Sequence, residues 1–254
     1  MSRAAEVAGD EVRRLVERPA VQRVVGRAVD AARTTAGRLP GGHDEVQLSA
    51  ADLRGVQPTG VLVDGAQARA ARATARAIGL PRALDGAASW VALGALAALL
   101  RVADDGRRRA VVIEAGAGSR SVFSRWATAA GFAPLHLDVT RPDVVGDRLD
   151  PGSVDLVALL HPRSTTPDDV DLELVRSSLA VRNGGLVVVS LQLGPVETGG
   201  FGVADVRALV ARAGEQGLAL VGELDIDDVA RATRAQAQHR DRPIGLVLLT
   251  FRRR

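Results

Sequence analysis

A few residues of this chain are spaced so that they could do chemistry together. Val111-Val112-Ile113-Glu114 reads as a buried strand, Ala115-Gly116-Ala117-Gly118 as a tight turn, and Leu135-His136-Leu137-Asp138 as a second strand ending in a carboxylate. In open α/β sheets the glycines of such a turn let the backbone approach a nucleotide-like ligand, and the acid after the next strand meets a ribose hydroxyl. A further carboxylate, Asp147, follows a short strand predicted over 143–146. His161, in Leu159-Leu160-His161-Pro162, comes just past a strand predicted over 154–160. An imidazole there could take a proton from a nucleophile at neutral pH, which makes His161 the candidate catalytic residue. A loop histidine satisfied by backbone is the structural alternative.

The turn separates two kinds of ligand. A dinucleotide fingerprint carries three glycines, whereas Gly116-Ala117-Gly118-Ser119-Arg120-Ser121 carries two. Glu114, Asp138 and Asp147 around one cleft would repel a pyrophosphate and attract a ligand bearing positive charge and hydroxyls. S-adenosylmethionine has a sulfonium, an amino group and a ribose diol, and no phosphate. A nicotinamide-dependent oxidoreductase is therefore the weaker of the two readings.

Composition narrows the chemistry. The 254 residues contain no Lys, Cys or Tyr, so all 33 basic residues are Arg. Schiff-base catalysis, thiol nucleophiles, disulfides and a phosphate-binding loop of the GK[ST] type are excluded. The near balance of 33 bases and 30 acids, with six aromatics and no stacking stripe, predicts no nucleic-acid partner. Four histidines without metal-ligand spacing predict no metal. Charged residues break any apolar run near Met1, so no signal peptide is predicted, and a cytoplasmic protein without membrane attachment is expected. The apolar run Ala87–Leu100 has the length of a core helix.

The positioning elements fall into two regimes. Residues 1–105 read as an N-terminal helical region, a lid or oligomerisation element, with Asp64 as N-cap of a helix ending near Gly79. Residues 106–254 read as an α/β domain with strands at 110–114, 134–138, 143–146, 154–160, 185–191, 218–224 and 244–251. Helices are predicted at 121–131, 168–181 and 203–216. Such alternation predicts a doubly wound, mostly parallel sheet covered on both faces, with an antiparallel last strand.

Over 108–254 the chain resembles the class I S-adenosylmethionine-dependent methyltransferases. Glu114-Ala115-Gly116-Ala117-Gly118 looks like that family's first motif, and Asp138 occupies its acidic position after strand two. The run Gly146 to Val157 is similar to its passage into strand four, and Arg182-Asn183-Gly184-Gly185 to its turn into strand five. The resemblance implies a seven-stranded Rossmann-like sheet with a reversed last strand. It places Glu114, Gly116 and Gly118 at the methionine moiety of the cofactor, Asp138 at the ribose and Asp147 at the adenine. Arg120 stands where the family has a third small residue, and there it either crowds the turn or pairs with Glu114.

The expectation is thus an S-adenosylmethionine-dependent methyltransferase acting on a small-molecule nucleophile, with a possible homodimer through the N-terminal helices. The alternative is a catalytically inactive, methyltransferase-like binding or regulatory subunit.

Overall fold

A computed structural model describes residues 46–103, 108–116, 118–160, 166–195, 199–238 and 245–254. Two layers of helices enclose one mixed sheet. In chain order the elements are β1 (Gly60–Leu62), α1 (Gly65–Ala77), α2 (Gly86–Ala103), β2 (Val112–Glu114), α3 (Val122–Ala129), β3 (Val154–Leu159), α4 (Pro167–Ala180), β4 (Val181–Gln192), α5 (Val203–Glu215), β5 (Leu218–Leu220), α6 (Ile226–Gln238) and β6 (Leu246–Arg253).

The pleat sorts the apolar runs into two cores, because successive strand residues point to opposite faces. Ile113, Val157, Leu159, Val187, Val189, Val247, Leu249 and Phe251 face α4, α5 and α6. Their neighbours Val112, Leu156, Ala158, Leu186, Val188 and Leu248 face α1, α2 and α3. Strands buried on both sides read as continuous apolar runs, which is why 154–160, 185–191 and 244–251 were recognisable.

The strand order is β1-β6-β4-β3-β2, with β5 also paired to β6. β2, β3 and β4 are parallel, and β6 runs antiparallel to β4, β1 and β5. The reversed last strand is present, but the sheet has six strands rather than seven among the described residues.

Two predicted strands do not form. Over 134–138, one bridge joins Leu135 to Ile113, with Leu135 N–H donating to Val112 O at 2.8 Å and Glu114 N–H to Leu135 O at 2.9 Å. Pro134 has no N–H to give, and after Asp138 the chain turns, Arg141 N–H donating to Asp138 O. Residues 143–149 close on themselves instead of pairing outward: Gly146, at φ 101°, donates to Leu149 O, and Leu149 N–H to Val144 O. Apolar alternation there serves packing against the sheet and not a ladder.

The region assigned to N-terminal helices contributes a strand as well. β1 pairs with residues 246–248 of β6 while β5 pairs with 251–253, so two short strands share one edge. Thr250 lies at the junction, where its N–H donates to Thr59 Oγ1 at 3.1 Å, its hydroxyl to Pro58 O, and its carbonyl accepts from Val221 N–H at 2.7 Å. No backbone group of that buried residue is left without a partner. α2 is long and apolar enough to span a membrane, yet Leu93, Leu96, Leu99 and Leu100 are buried against the sheet, as a core helix requires. Residues 1–45 lie outside the described residues.

α1 starts as its sequence predicts. Asp64 Oδ1 accepts from Ala66 and Gln67 N–H at 2.8 and 2.9 Å, and the Gln67 side chain reaches back to Asp64 N–H, a reciprocal cap.

Asp155 pins the amino ends of three strands. Its Oδ2 accepts from Val111 N–H at 2.8 Å and its Oδ1 from Arg182 Nε at 2.5 Å. Removing both bonds leaves the buried Val111 amide without that acceptor, so Asp155→Ala is expected to cost about 2 kcal/mol. A melting temperature lower by about 4–8 °C would report it, and an unchanged one would mean the bonds contribute nothing net.

Candidate functional site

The chain order changes direction at β2. From β2 the chain passes through α3 to Leu135 on one side of that strand, then crosses to β3 on the other. Such a switch point opens a crevice beyond the carboxyl ends of the strands, where ligands of open α/β sheets bind. The turn at 115–118 lies at this crevice. Gly116 has φ 78°, a left-handed conformation that glycine adopts without strain. A Cβ built on Gly118 would meet nothing within 4 Å, so the turn faces open space there. Ala117 lies outside the described residues.

Glu114 is fully buried at the end of β2. Its Oε2 accepts hydroxyl bonds from Ser121 and Ser124, both at 2.5 Å. The Ser121 hydroxyl also accepts from Ser124 N–H at 2.9 Å as the N-cap of α3, so one side chain starts the helix and holds the acid. The carboxylate sits at the positive end of α3, which favours a negative charge. Its second oxygen, Oε1, is buried and has no hydrogen-bond partner among the described residues. An acceptor with one oxygen held and one open is suited to a donor brought by a ligand, since buried polar groups are otherwise paired.

The arginine expected to crowd this turn does not do so. Arg120 is exposed and forms no ion pair among the described residues, while Ser121 and Ser124 take the position beside Glu114. Those serines were missed in the sequence, where only their spacing from Glu114 on the first turn of a helix marks them.

The other acids are placed differently. Asp138 is half-buried, past the segment bridged to β2, with Oδ1 accepting from Thr140 Oγ1 at 2.5 Å. Asp147 is exposed in the turn after Gly146 and makes no hydrogen bond among the described residues. Between them, a hydrogen bond from its own backbone N–H, and then Arg141, hold the Asp143 carboxyl below the usual carboxylate range. Glu114 and Asp138 therefore flank one edge of β2, and Asp147 stays at the surface. His161 lies outside the described residues, as do His43 and His239.

A cavity of about 190 Å³ opens at the same end of the sheet. Leu160 and Ser190 line it from beyond β3 and within β4, Leu246 from the start of β6, Val122 and Phe123 from the first turn of α3. Asp85, Ala88, Val91 and Ala92 close it from α2 and the segment before it. Ser190 Oγ donates to Leu160 O at 2.7 Å and Asp85 Oδ1 caps Ala88 N–H at 3.0 Å, so the polar lining is already engaged. The chamber is a mostly apolar concavity one helical turn from Ser121. Among the described residues no cluster of three or more acids, histidines or cysteines could hold a metal.

No protein-family model matches the chain, and no curated protein matches it in sequence. Solved structures do align with it. One is the Burkholderia thailandensis 1,6-didemethyltoxoflavin-N1-methyltransferase with bound 1,6-didemethyltoxoflavin and S-adenosylhomocysteine, 14% identical, with 75% of this chain and 79% of that one covered and a TM-score of 0.39. A second is an S-adenosylmethionine-dependent methyltransferase from Mesorhizobium loti, 17% identical, covering 57% of this chain and 91% of that one at a TM-score of 0.35. A third is the aminoglycoside resistance methyltransferase NpmB1, 15% identical, covering 57% and 88% at 0.35. All three of these solved structures are methyltransferases, one holding S-adenosylhomocysteine and another named for its dependence on S-adenosylmethionine.

Proposed function

We propose that the chain is an S-adenosylmethionine-dependent methyltransferase that acts on a small-molecule nucleophile. The observation that carries this reading is Glu114, a buried carboxylate at the switch point with Oε2 fixed by two serines and Oε1 open. The residues fit the cofactor's chemistry. Glu114 Oε1 would accept from its amino group, the backbone at Gly116 and Gly118 would border its methionine part, Asp138 would meet the ribose and Asp147 the adenine. The cofactor supplies an electrophilic methyl group for in-line displacement. What the protein adds is mainly alignment and exclusion of water.

The apolar cavity at Phe123, Leu160 and Leu246 supports a small molecule as the acceptor, because a mostly apolar concavity of that volume suits a compact body. His161, directly after the lining residue Leu160, is proposed to take the acceptor's proton. Arg120 is exposed and forms no ion pair with Glu114, which supports access of a cofactor to the turn.

Isothermal titration of the full chain with S-adenosylhomocysteine is expected to give saturable binding. His161→Asn should retain that affinity while losing methyl transfer to a panel of small phenols and amines. Absence of heat at millimolar ligand would remove the proposal altogether.

A further inference from the structure

We propose a second binding site, for the phosphate group of a small molecule, in the concavity between α1 and the segment leading to α2. Arg72, Arg76 and Arg82 line it, with Leu80, Pro81 and Trp126 forming its apolar walls. No acid occurs between residues 65 and 84, and none of the three arginines forms an ion pair among the described residues.

The backbone under these arginines is fixed. Trp126 Nε1 donates to Pro81 O at 2.8 Å and Leu80 N–H to Ala75 O at 2.9 Å, which holds the connector against α1 and α3. Arg72 Nη1 donates to Leu84 O at 2.9 Å, so its guanidinium is positioned while its other N–H groups stay available. Arg125 clamps the same connector from α3 through Arg82 O at 2.9 Å. Those two arginines have a structural task, whereas the side chains of Arg76 and Arg82 line the concavity with no hydrogen bond among the described residues. A lone arginine in the last turn of α1 would be accounted for by the helix dipole. Three guanidinium groups around one depression without a carboxylate are not, since like charges repel unless an anion sits between them.

The size selects the anion. A volume of about 50 Å³ is on the scale of one small tetrahedral oxyanion. Guanidinium forks match phosphate oxygens two at a time. Trp126 is buried, so no exposed ring is offered for base stacking, which single-stranded nucleic acid uses. The occupant is therefore a phosphate monoester or a short polyphosphate. Asp85, three residues after Arg82, lines the larger cavity, so the connector 80–88 forms a wall of both chambers.

Calorimetric titration of the full chain with inorganic phosphate and pyrophosphate, against chloride at constant ionic strength, tests this. Saturable binding is expected, weakened about tenfold or more by Arg76→Ala/Arg82→Ala. Neither side chain makes a bond among the described residues, so the double variant should melt as the parent does and bind S-adenosylhomocysteine unchanged. A failed cofactor titration would leave this site untouched, because it rests on different residues. The proposal is overturned by absence of saturable binding to either probe or by equal binding in the double variant. It is also overturned if a short single-stranded RNA binds, with steep salt dependence, where phosphate and pyrophosphate do not.

Discussion

Glu114→Gln is expected to lower S-adenosylhomocysteine affinity about 10- to 100-fold, the worth of a charge-assisted hydrogen bond in a buried site, while leaving the fold intact. The amide oxygen can still accept from Ser121 and Ser124, which now bond Oε2 at 2.5 Å. What changes is the open side of the group. Oε1 becomes an NH2, a donor facing a donor, and the ligand's amino group meets repulsion instead of attraction. The melting temperature should stay within about 2 °C of the parent, because the internal bonds survive.

Glu114→Ala separates the two roles of the same side chain. It leaves the hydroxyls of buried Ser124 and half-buried Ser121 without this acceptor and empties the fully buried space the side chain filled. A cost of about 3 kcal/mol follows, seen as a melting temperature lower by about 6–12 °C. If Gln bound S-adenosylhomocysteine as tightly as Glu, the acid would be a structural anchor for α3 and the proposed cofactor contact would be wrong. If Gln and Ala destabilised equally, the serine bonds would not be holding the acid.

The site was legible to the extent that its causes are local. A β-branched run ending in an acid and a glycine turn marks the carboxyl end of a buried strand within eight residues, and Glu114 and Gly116 follow from it, whereas Ser121, the α3 cap, does not. Asp64 predicted the start of α1 for the same reason. The long-range pairings were not legible. β1 is only Gly60-Val61-Leu62, and what makes it a strand is the free edge of β6 nearly the whole chain away, which no local pattern reports. The opposite error arose over 134–146, where alternating apolar residues meet the sheet with their side chains but have no outer strand to complete a ladder. Asp147 accordingly follows the turn at Gly146 and not a strand, and lies exposed there.

Gly185→Ala is expected to cost about 3 kcal/mol, although it adds one methyl group to a strand. Between the pairs Val154 with Val181 and Leu156 with Leu186, β4 carries three more residues than β3, and Gly185 belongs to that irregularity. A Cβ there would lie 2.6 Å from Val181 Cγ1, 2.8 Å from Asp155 O and 3.1 Å from Arg182 O. A flexible side chain could move aside, but two of these atoms are carbonyls of paired strands. Asp155 is further tied through its carboxylate to Val111 and Arg182, so a shift there disturbs three strands at once. The melting temperature should fall by about 6–12 °C. Gly118→Ala, in the turn after β2, provides the contrast: with nothing inside 4 Å of its Cβ, stability is expected to be unchanged, and any loss should fall on ligand affinity alone. Equal melting temperatures for the Gly185 and Gly118 variants would show that the close approach at Gly185 relaxes at no cost, and that β4 is held less tightly by Asp155 than its bonds imply.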